Sequence, residues 1–231
     1  MKKVTTAFIL GAGLGTRLRP LTASMPKPLL PIHGRPLITH IFDQLIQIGI
    51  ERILVNTHHH AYRYAEAFPD STYHNVPLIF RHEPILLETG GGIKNIEDLA
   101  DPDSPLLIYN GDILSTLPLL PLIHEHQQSR REATLALRTQ GEPRNVQLGL
   151  DGALLDFRYT FKNNSGTACL FTGIYLINPP FFQRLQPAQK ETVIETFLRM
   201  IAEGSPPGGI TLDQGSWSDI GSVEEYEKLK A

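Results

Sequence analysis

Glycines 11, 13 and 15, followed by Arg17 and Lys27, are the residues of this chain best suited to handle a phosphorylated ligand. The run Gly11-Ala12-Gly13-Leu14-Gly15-Thr16-Arg17-Leu18-Arg19-Pro20-Leu21-Thr22 follows the apolar segment Ala7-Phe8-Ile9-Leu10, where a buried strand would end. Glycine there lets backbone N–H groups approach an anion, because no Cβ intervenes and positive φ is allowed. Arg17 and then Lys27-Pro28-Leu29 add fixed cations that suit a polyphosphate. An ordinary strand-to-helix turn accounts for the glycines but not for two spaced cations and two proline-stiffened turns. Two better-known loops do not fit. The dinucleotide fingerprint requires a glycine where Thr16 stands, and the Walker loop requires Gly-Lys-Ser/Thr where the chain reads Thr16-Arg17-Leu18.

Two carboxylates complement the loop. Asp112 ends the apolar segment Leu106 to Tyr109 through Asn110-Gly111, and Asp219 sits in Trp217-Ser218-Asp219-Ile220-Gly221. Aspartate beside glycine is ordinary turn chemistry, but beside a phosphate loop the pair suits Mg²⁺, which takes one or two carboxylates together with phosphate oxygens and water. Glu88-Thr89-Gly90-Gly91-Gly92-Ile93 is read as a flexible entry to a helix. Three successive glycines are costly in conformational entropy, which favours a place where backbone lies close against a ligand.

The stretch from Gly13 to Thr22 with Lys27-Pro28-Leu29 resembles the signature of the sugar-1-phosphate nucleotidyltransferases. The resemblance extends to Asp112 after a buried strand and to the Trp-x-Asp-x-Gly segment at 217–221. It implies catalytic roles for Arg17 and Lys27 on the phosphates, and Mg²⁺ on Asp112 and Asp219. It implies a nucleoside triphosphate held by Leu10, Gly11, Ala12, Gly13, Gly15, Thr16, Glu88, Gly90, Gly91 and Asn110. Thr172-Gly173 resembles the strand end that lines the sugar pocket. The Glu-Lys-Pro element of related thymidylyltransferases is missing near Asp156-Phe157-Arg158, which leaves Arg144, Arg158 and Lys162 as cations for the sugar phosphate. The segments 87–92 and 110–112 look most like the N-acetylmuramate-1-phosphate uridylyltransferases of cell-wall recycling, so UTP is the expected donor. Mannose- and heptose-1-phosphate guanylyltransferases are the competing reading. A catalytically silent nucleotide-sugar sensor would be expected to lack one of Arg17, Lys27, Asp112 and Asp219, all of which are present. The sequence runs only a few residues past Asp219, and the expectation is a form without the left-handed β-helix domain that some relatives append.

The remaining signals bound the answer. A net charge of −3 argues against a nucleic-acid surface, which is usually basic. Cys169 is the only cysteine, which excludes an intrachain disulfide and suits a reducing compartment; in its apolar run it reads as an inert buried thiol. Met1-Lys2-Lys3 is followed by too short an apolar segment for a signal peptide, and no stretch approaches a membrane span. The expectation is a cytoplasmic protein without membrane partners. His58-His59-His60 suggests metal binding, but adjacent residues of an extended segment alternate faces and cannot converge on one ion.

These residues need a scaffold that brings strand ends together. Leu37, Ile41, Leu45 and Ile48 recur at helical spacing with Gly49 as a stop, and Arg52 to Thr57 reads as a strand. A helix over His60 to Phe68, a strand near Leu78 to Phe80 and a helix over Ile93 to Leu99 continue the alternation. It predicts an α/β, Rossmann-like mixed sheet, mostly parallel, with helices on both faces. The second half is strand-rich: Ala133 to Arg138, Val146 to Leu150, Leu154 to Phe157 and Leu170 to Ile177, with a hairpin turn at Asp151-Gly152. Helices are expected over Pro179 to Leu185, Glu191 to Ala202 and Val223 to Leu229. Residues 1–231 read as one domain, with a nucleotide half to about 115 and a sugar-binding, closing half beyond it.

Overall fold

The computed structural model describes residues 3–230; Met1 and Lys2 of the basic N-terminal stretch and Ala231 lie outside the described residues. β1 (Thr6–Leu10) leads into the glycine loop, and a short hairpin of β2 (Pro31–Ile32) and β3 (Arg35–Pro36) follows. In α1 (Leu37–Gln47), Leu37, Ile38, Ile41, Phe42 and Leu45 fall on one face and are all buried, the pattern of a helix packed on a sheet. Gly49 closes it at φ 88°, with its N–H on the Ile46 carbonyl, a left-handed ending that glycine adopts without steric cost. β4 (Arg52–Thr57), α2 (Tyr62–Ala67), β5 (Thr72–Tyr73), β6 (Val76–His82), α3 (Glu88–Lys94) and β7 (Leu106–Asn110) continue the chain.

β7, β1, β4 and β6 lie side by side and parallel, with Ile9 opposite both Val55 and Tyr109. Parallel register puts Leu10, Thr57, His82 and Asn110 at one edge of the sheet, the edge at which open α/β sheets receive ligands. Ala7 and Ile9 share a core with Ile41 and Phe42 of α1, while Phe8 shares another with Ile93 of α3. The alternation of one strand thus buries helices on both faces, each fully buried side chain contributing about 1.5–3 kcal/mol by transfer from water.

The chain continues through β8 (Ile113–Ser115), α4 (Leu119–Ser129), β9 (Ala133–Arg138), β10 (Val146–Leu148) and β11 (Leu154–Phe157). β12 (Thr167–Ile177), α5 (Val193–Ala202), β13 (Gly208–Thr211), β14 (Trp217–Asp219) and α6 (Val223–Lys230) complete it. β12 pairs antiparallel with β7, β9 and β10, so the sheet carries on from its parallel block into an antiparallel second half. The expected α/β class, with its strand-rich second half, is present. A third core of Leu18, Leu30, Ile32, Leu37, Ile220 and Tyr226 fastens α6 to the back of the glycine loop.

Three expected boundaries are corrected. The helix expected over Ile93 to Leu99 starts earlier, at Glu88, and Glu97–Leu99 is a separate 3₁₀ turn. Glycine disfavours helix interiors by about 1 kcal/mol per residue, and here packing against residues 189–193 overrides that preference. Pro179–Arg184 is 3₁₀ rather than α, and β12 begins at Thr167 rather than Leu170. No described helix is long and apolar enough to cross a membrane.

Candidate active site

The glycine loop is held from behind and open in front. The Gly11 N–H donates to Asn56 Oδ1 at 2.7 Å, the Tyr64 hydroxyl donates to the Gly11 carbonyl at 3.2 Å, and Thr22 Oγ1 donates to the Gly15 carbonyl at 2.8 Å. Gly15 sits at φ 58° and starts a 3₁₀ turn over Thr16–Leu18. Leu18 is buried in that turn, which leaves Arg17 exposed. A Cβ on Gly13 would meet no atom within 4 Å.

Asp112 and Asp219 are joined by a two-stranded ribbon. β14 pairs antiparallel with β8, with Asp219 opposite Ile113, and the Ile220 N–H donates to the Asp112 carbonyl at 3.0 Å. Lys27 is buried between the carboxylates, with Nζ 2.6 Å from Asp112 Oδ2 and 3.8 Å from Asp219 Oδ1. Desolvation, then the Asp112 charge, raises the Asp219 pKa, while Lys27 and Arg17 oppose the rise. Asp219 Oδ1 is buried and accepts no hydrogen bond among the described residues. Among the described residues no group of three or more His, Cys, Asp or Glu could hold a metal. Two neighbouring carboxylates, one oxygen of which has no donor among the described residues, are a donor set that suits Mg²⁺, which completes its shell from phosphate and water.

Two cavities meet at Asn110. The smaller, about 180 Å³, is lined by Leu10, Ala12, Gly13, Asn56, Leu86, Glu88, Thr89, Asn110 and Asp112. The larger, about 630 Å³, includes Arg17, Asn110, Arg158, Thr172, Gly173, Trp217 and Asp219 in its wall. Thr172 turns its hydroxyl inward to the Ala136 carbonyl at 2.8 Å, and its own carbonyl accepts from Trp217 Nε1 at 2.9 Å.

Some expected residues stand elsewhere. Gly11, Gly15, Thr16 and Lys27 line neither cavity, Lys27 being held by its ion pair to Asp112. Gly90 and Gly91 face the chain: both N–H groups donate to the Glu191 carbonyl, and a Cβ on Gly91 would lie 2.2 Å from the Gln189 carbonyl oxygen. Close approach is what these glycines permit, but the neighbour is protein backbone. Arg144 is ion-paired to Glu142 at 3.0 Å and lies outside the wall of the larger cavity, because a partner two residues away captures the guanidinium first. Lys162 likewise lines neither cavity.

Sequence reasoning gives no role to Asn56 or Glu83, and includes Trp217 only as part of the segment around Asp219. Asn56 bridges the Gly11 N–H and the buried Glu83, whose Oε1 accepts from Asn56 Nδ2 at 2.7 Å and whose Oε2 accepts from the Leu87 N–H at 3.1 Å. A polar residue at the carboxyl end of a buried strand was the available signal for Asn56.

The sequence profile of the nucleotidyl transferase family matches residues 6–231. The chain belongs to that family. Within this nucleotidyl transferase group, it is 30% identical over 229 residues to the mannose-1-phosphate guanylyltransferase of Mycobacterium tuberculosis, covering 97% of this chain and 63% of that protein. It is 27% identical over 238 residues to a UTP–glucose-1-phosphate uridylyltransferase of Synechocystis, covering 95% and 61%. The chain thus spans less than two thirds of the length of these curated relatives. Its fold is that of HddC from Yersinia pseudotuberculosis, with a TM-score of 0.80, 22% identity and 98% of each chain covered.

Proposed function

We propose that this chain is a sugar-1-phosphate nucleotidyltransferase acting as one unit, with residues to about 115 holding a nucleoside triphosphate and the rest closing over the acceptor. The observation that carries the reading is the Lys27–Asp112–Asp219 cluster at the junction of two cavities that share Asn110. A phosphate oxygen of the sugar 1-phosphate attacks the α-phosphorus in line. The α–β bridging P–O bond breaks and pyrophosphate leaves with its electron pair. The acceptor phosphate is already ionised at neutral pH, so no side-chain base is needed, and catalysis is positioning and charge neutralisation. Arg17 and Lys27 hold the phosphates, and Asn110 stands between donor and acceptor. Asp112 and Asp219 would hold Mg²⁺, which neutralises phosphate oxygens when bound.

UTP and N-acetylmuramate 1-phosphate are the favoured pair. The 87–92 and 110–112 segments support it through their likeness to the N-acetylmuramate-1-phosphate uridylyltransferases. The similarity to a mannose-1-phosphate guanylyltransferase favours GTP with mannose or heptose 1-phosphate as the second reading. Pyrophosphate release is measured with UTP, GTP, CTP and dTTP against a panel of sugar 1-phosphates with Mg²⁺. Release with UTP and N-acetylmuramate 1-phosphate supports the first pair, and no product from any pair overturns the reading in favour of a sensor. Asp112→Asn is expected to lower turnover by about 10²–10³-fold; near-normal activity sinks the metal assignment.

A further inference from the structure

We propose that the histidine triplet His58-His59-His60 is a brace that positions the two loops flanking the smaller cavity. The inference rests on the nucleotide-binding reading of that cavity. β4 ends at Thr57 between the glycine loop and the segment after β6, so the residues that follow stand between the two loops they would have to hold. Each imidazole donates to a different carbonyl. His58 Nδ1–H reaches Glu83 at 2.7 Å, His59 Nε2–H reaches Thr22 at 3.0 Å, and His60 Nε2–H reaches Ala23 at 2.8 Å. Arg63 Nε extends the row to the Ser24 carbonyl at 3.3 Å. Thr22, Ala23 and Ser24 lie on the arm between Arg17 and Lys27, whereas Glu83 anchors the Leu87 N–H just before Glu88.

The arm needs outside support. Between its two cations it consists of a 3₁₀ turn over Leu21–Ala23 flanked by prolines 20 and 26, and short 3₁₀ turns satisfy few of their own carbonyls. Imidazole is suited to the task because Nε2–H remains a donor in both the Nε2–H neutral tautomer and the cation. His59 and His60 therefore set the phosphate side, and His58 sets the base side. All three act through the loops, so they are positioning residues.

Binding of UTP and of GTP is measured by calorimetry, with uridine and guanosine as phosphate-free competitors. Amide hydrogen exchange over residues 14–27 is followed in parallel. The His59→Ala/His60→Ala double variant is expected to weaken triphosphate binding about tenfold, by the loss of two hydrogen bonds. Its nucleoside affinity stays unchanged and exchange in the arm accelerates. His58→Ala is expected to weaken nucleoside and triphosphate binding alike, about fivefold, with an undisturbed arm. His59→Gln/His60→Gln keeps an N–H donor at similar reach and restores both readouts. In the alanine pair, equal losses for nucleoside and triphosphate or no change in either overturns the brace, as does failure of the glutamine pair to restore the arm. If the wild-type protein binds neither triphosphate, the nucleotide reading fails. Arm exchange that is then unaltered in the alanine pair overturns the brace as well.

Discussion

Lys27 lies 2.6 Å from Asp112 Oδ2 and 3.8 Å from Asp219 Oδ1 and neutralises part of the charge that a metal there would also neutralise. Lys27→Met is expected to lower pyrophosphate release by about 10²–10³-fold. The variant should also gain more thermal stability from added Mg²⁺ than the wild type does, because Asp112 and Asp219 then repel one another without compensation. Asp219→Asn should abolish that gain in a melting experiment. His126 behaves differently because it lies away from the site. Its Nδ1 pairs with Thr134 Oγ1 at 2.9 Å while its buried Nε2 has no hydrogen-bond partner among the described residues. Desolvation lowers its pKa from 6.5 to about 4, against a smaller opposing contribution from Asn178. The unfolded chain binds the proton first as pH falls. The stability contribution is therefore complete above about pH 6.5 and lost on the way down to about 4, a change on the order of 2–3 kcal/mol. Urea denaturation between pH 7 and 4.5 should show the fall, and His126→Gln should flatten it. At this scale the cations and carboxylates were legible because their chemistry is carried by residue type. Asn56 and Glu83 were not, because their meaning lies in a buried contact across strands.

The elements differ in how far local sequence decides them. α1 follows from apolar spacing and a glycine stop, and both are present in the structure. α3 defies its composition: three glycines would end a helix elsewhere, yet here they let residues 189–193 lie against it. Nothing in the local pattern announces a contact with a segment so distant in sequence, so the pattern places the helix start at Ile93 and the fold places it at Glu88. Gly91→Ala should cost about 2 kcal/mol or more, since the new methyl would press on backbone that cannot swing aside. Gly13→Ala should stay within about 0.5 kcal/mol of wild type, because its Cβ points into open space. Urea midpoints of the two variants test the contrast, and equal losses would contradict it.

Across the whole molecule, the parallel block and the antiparallel half contribute different walls to adjoining cavities. Trp217 is the only tryptophan in the chain and stands in the wall of the larger cavity, tied to the Thr172 carbonyl. Its fluorescence should change saturably with N-acetylmuramate 1-phosphate or mannose 1-phosphate and much less with UTP or GTP alone. Trp217→Phe should remove the signal. The β8–β14 ribbon has a consequence for synthesis on the ribosome. Asp112 emerges early, inside a parallel block whose strands have all been made by then, but its partner Asp219 comes after the entire second half of the sheet. A nascent chain can thus assemble the glycine-loop side while the carboxylate pair is still missing. On the proposed function the carboxylate pair forms only when Trp217–Asp219 leaves the exit tunnel, so a product truncated before Trp217 is expected to release no pyrophosphate.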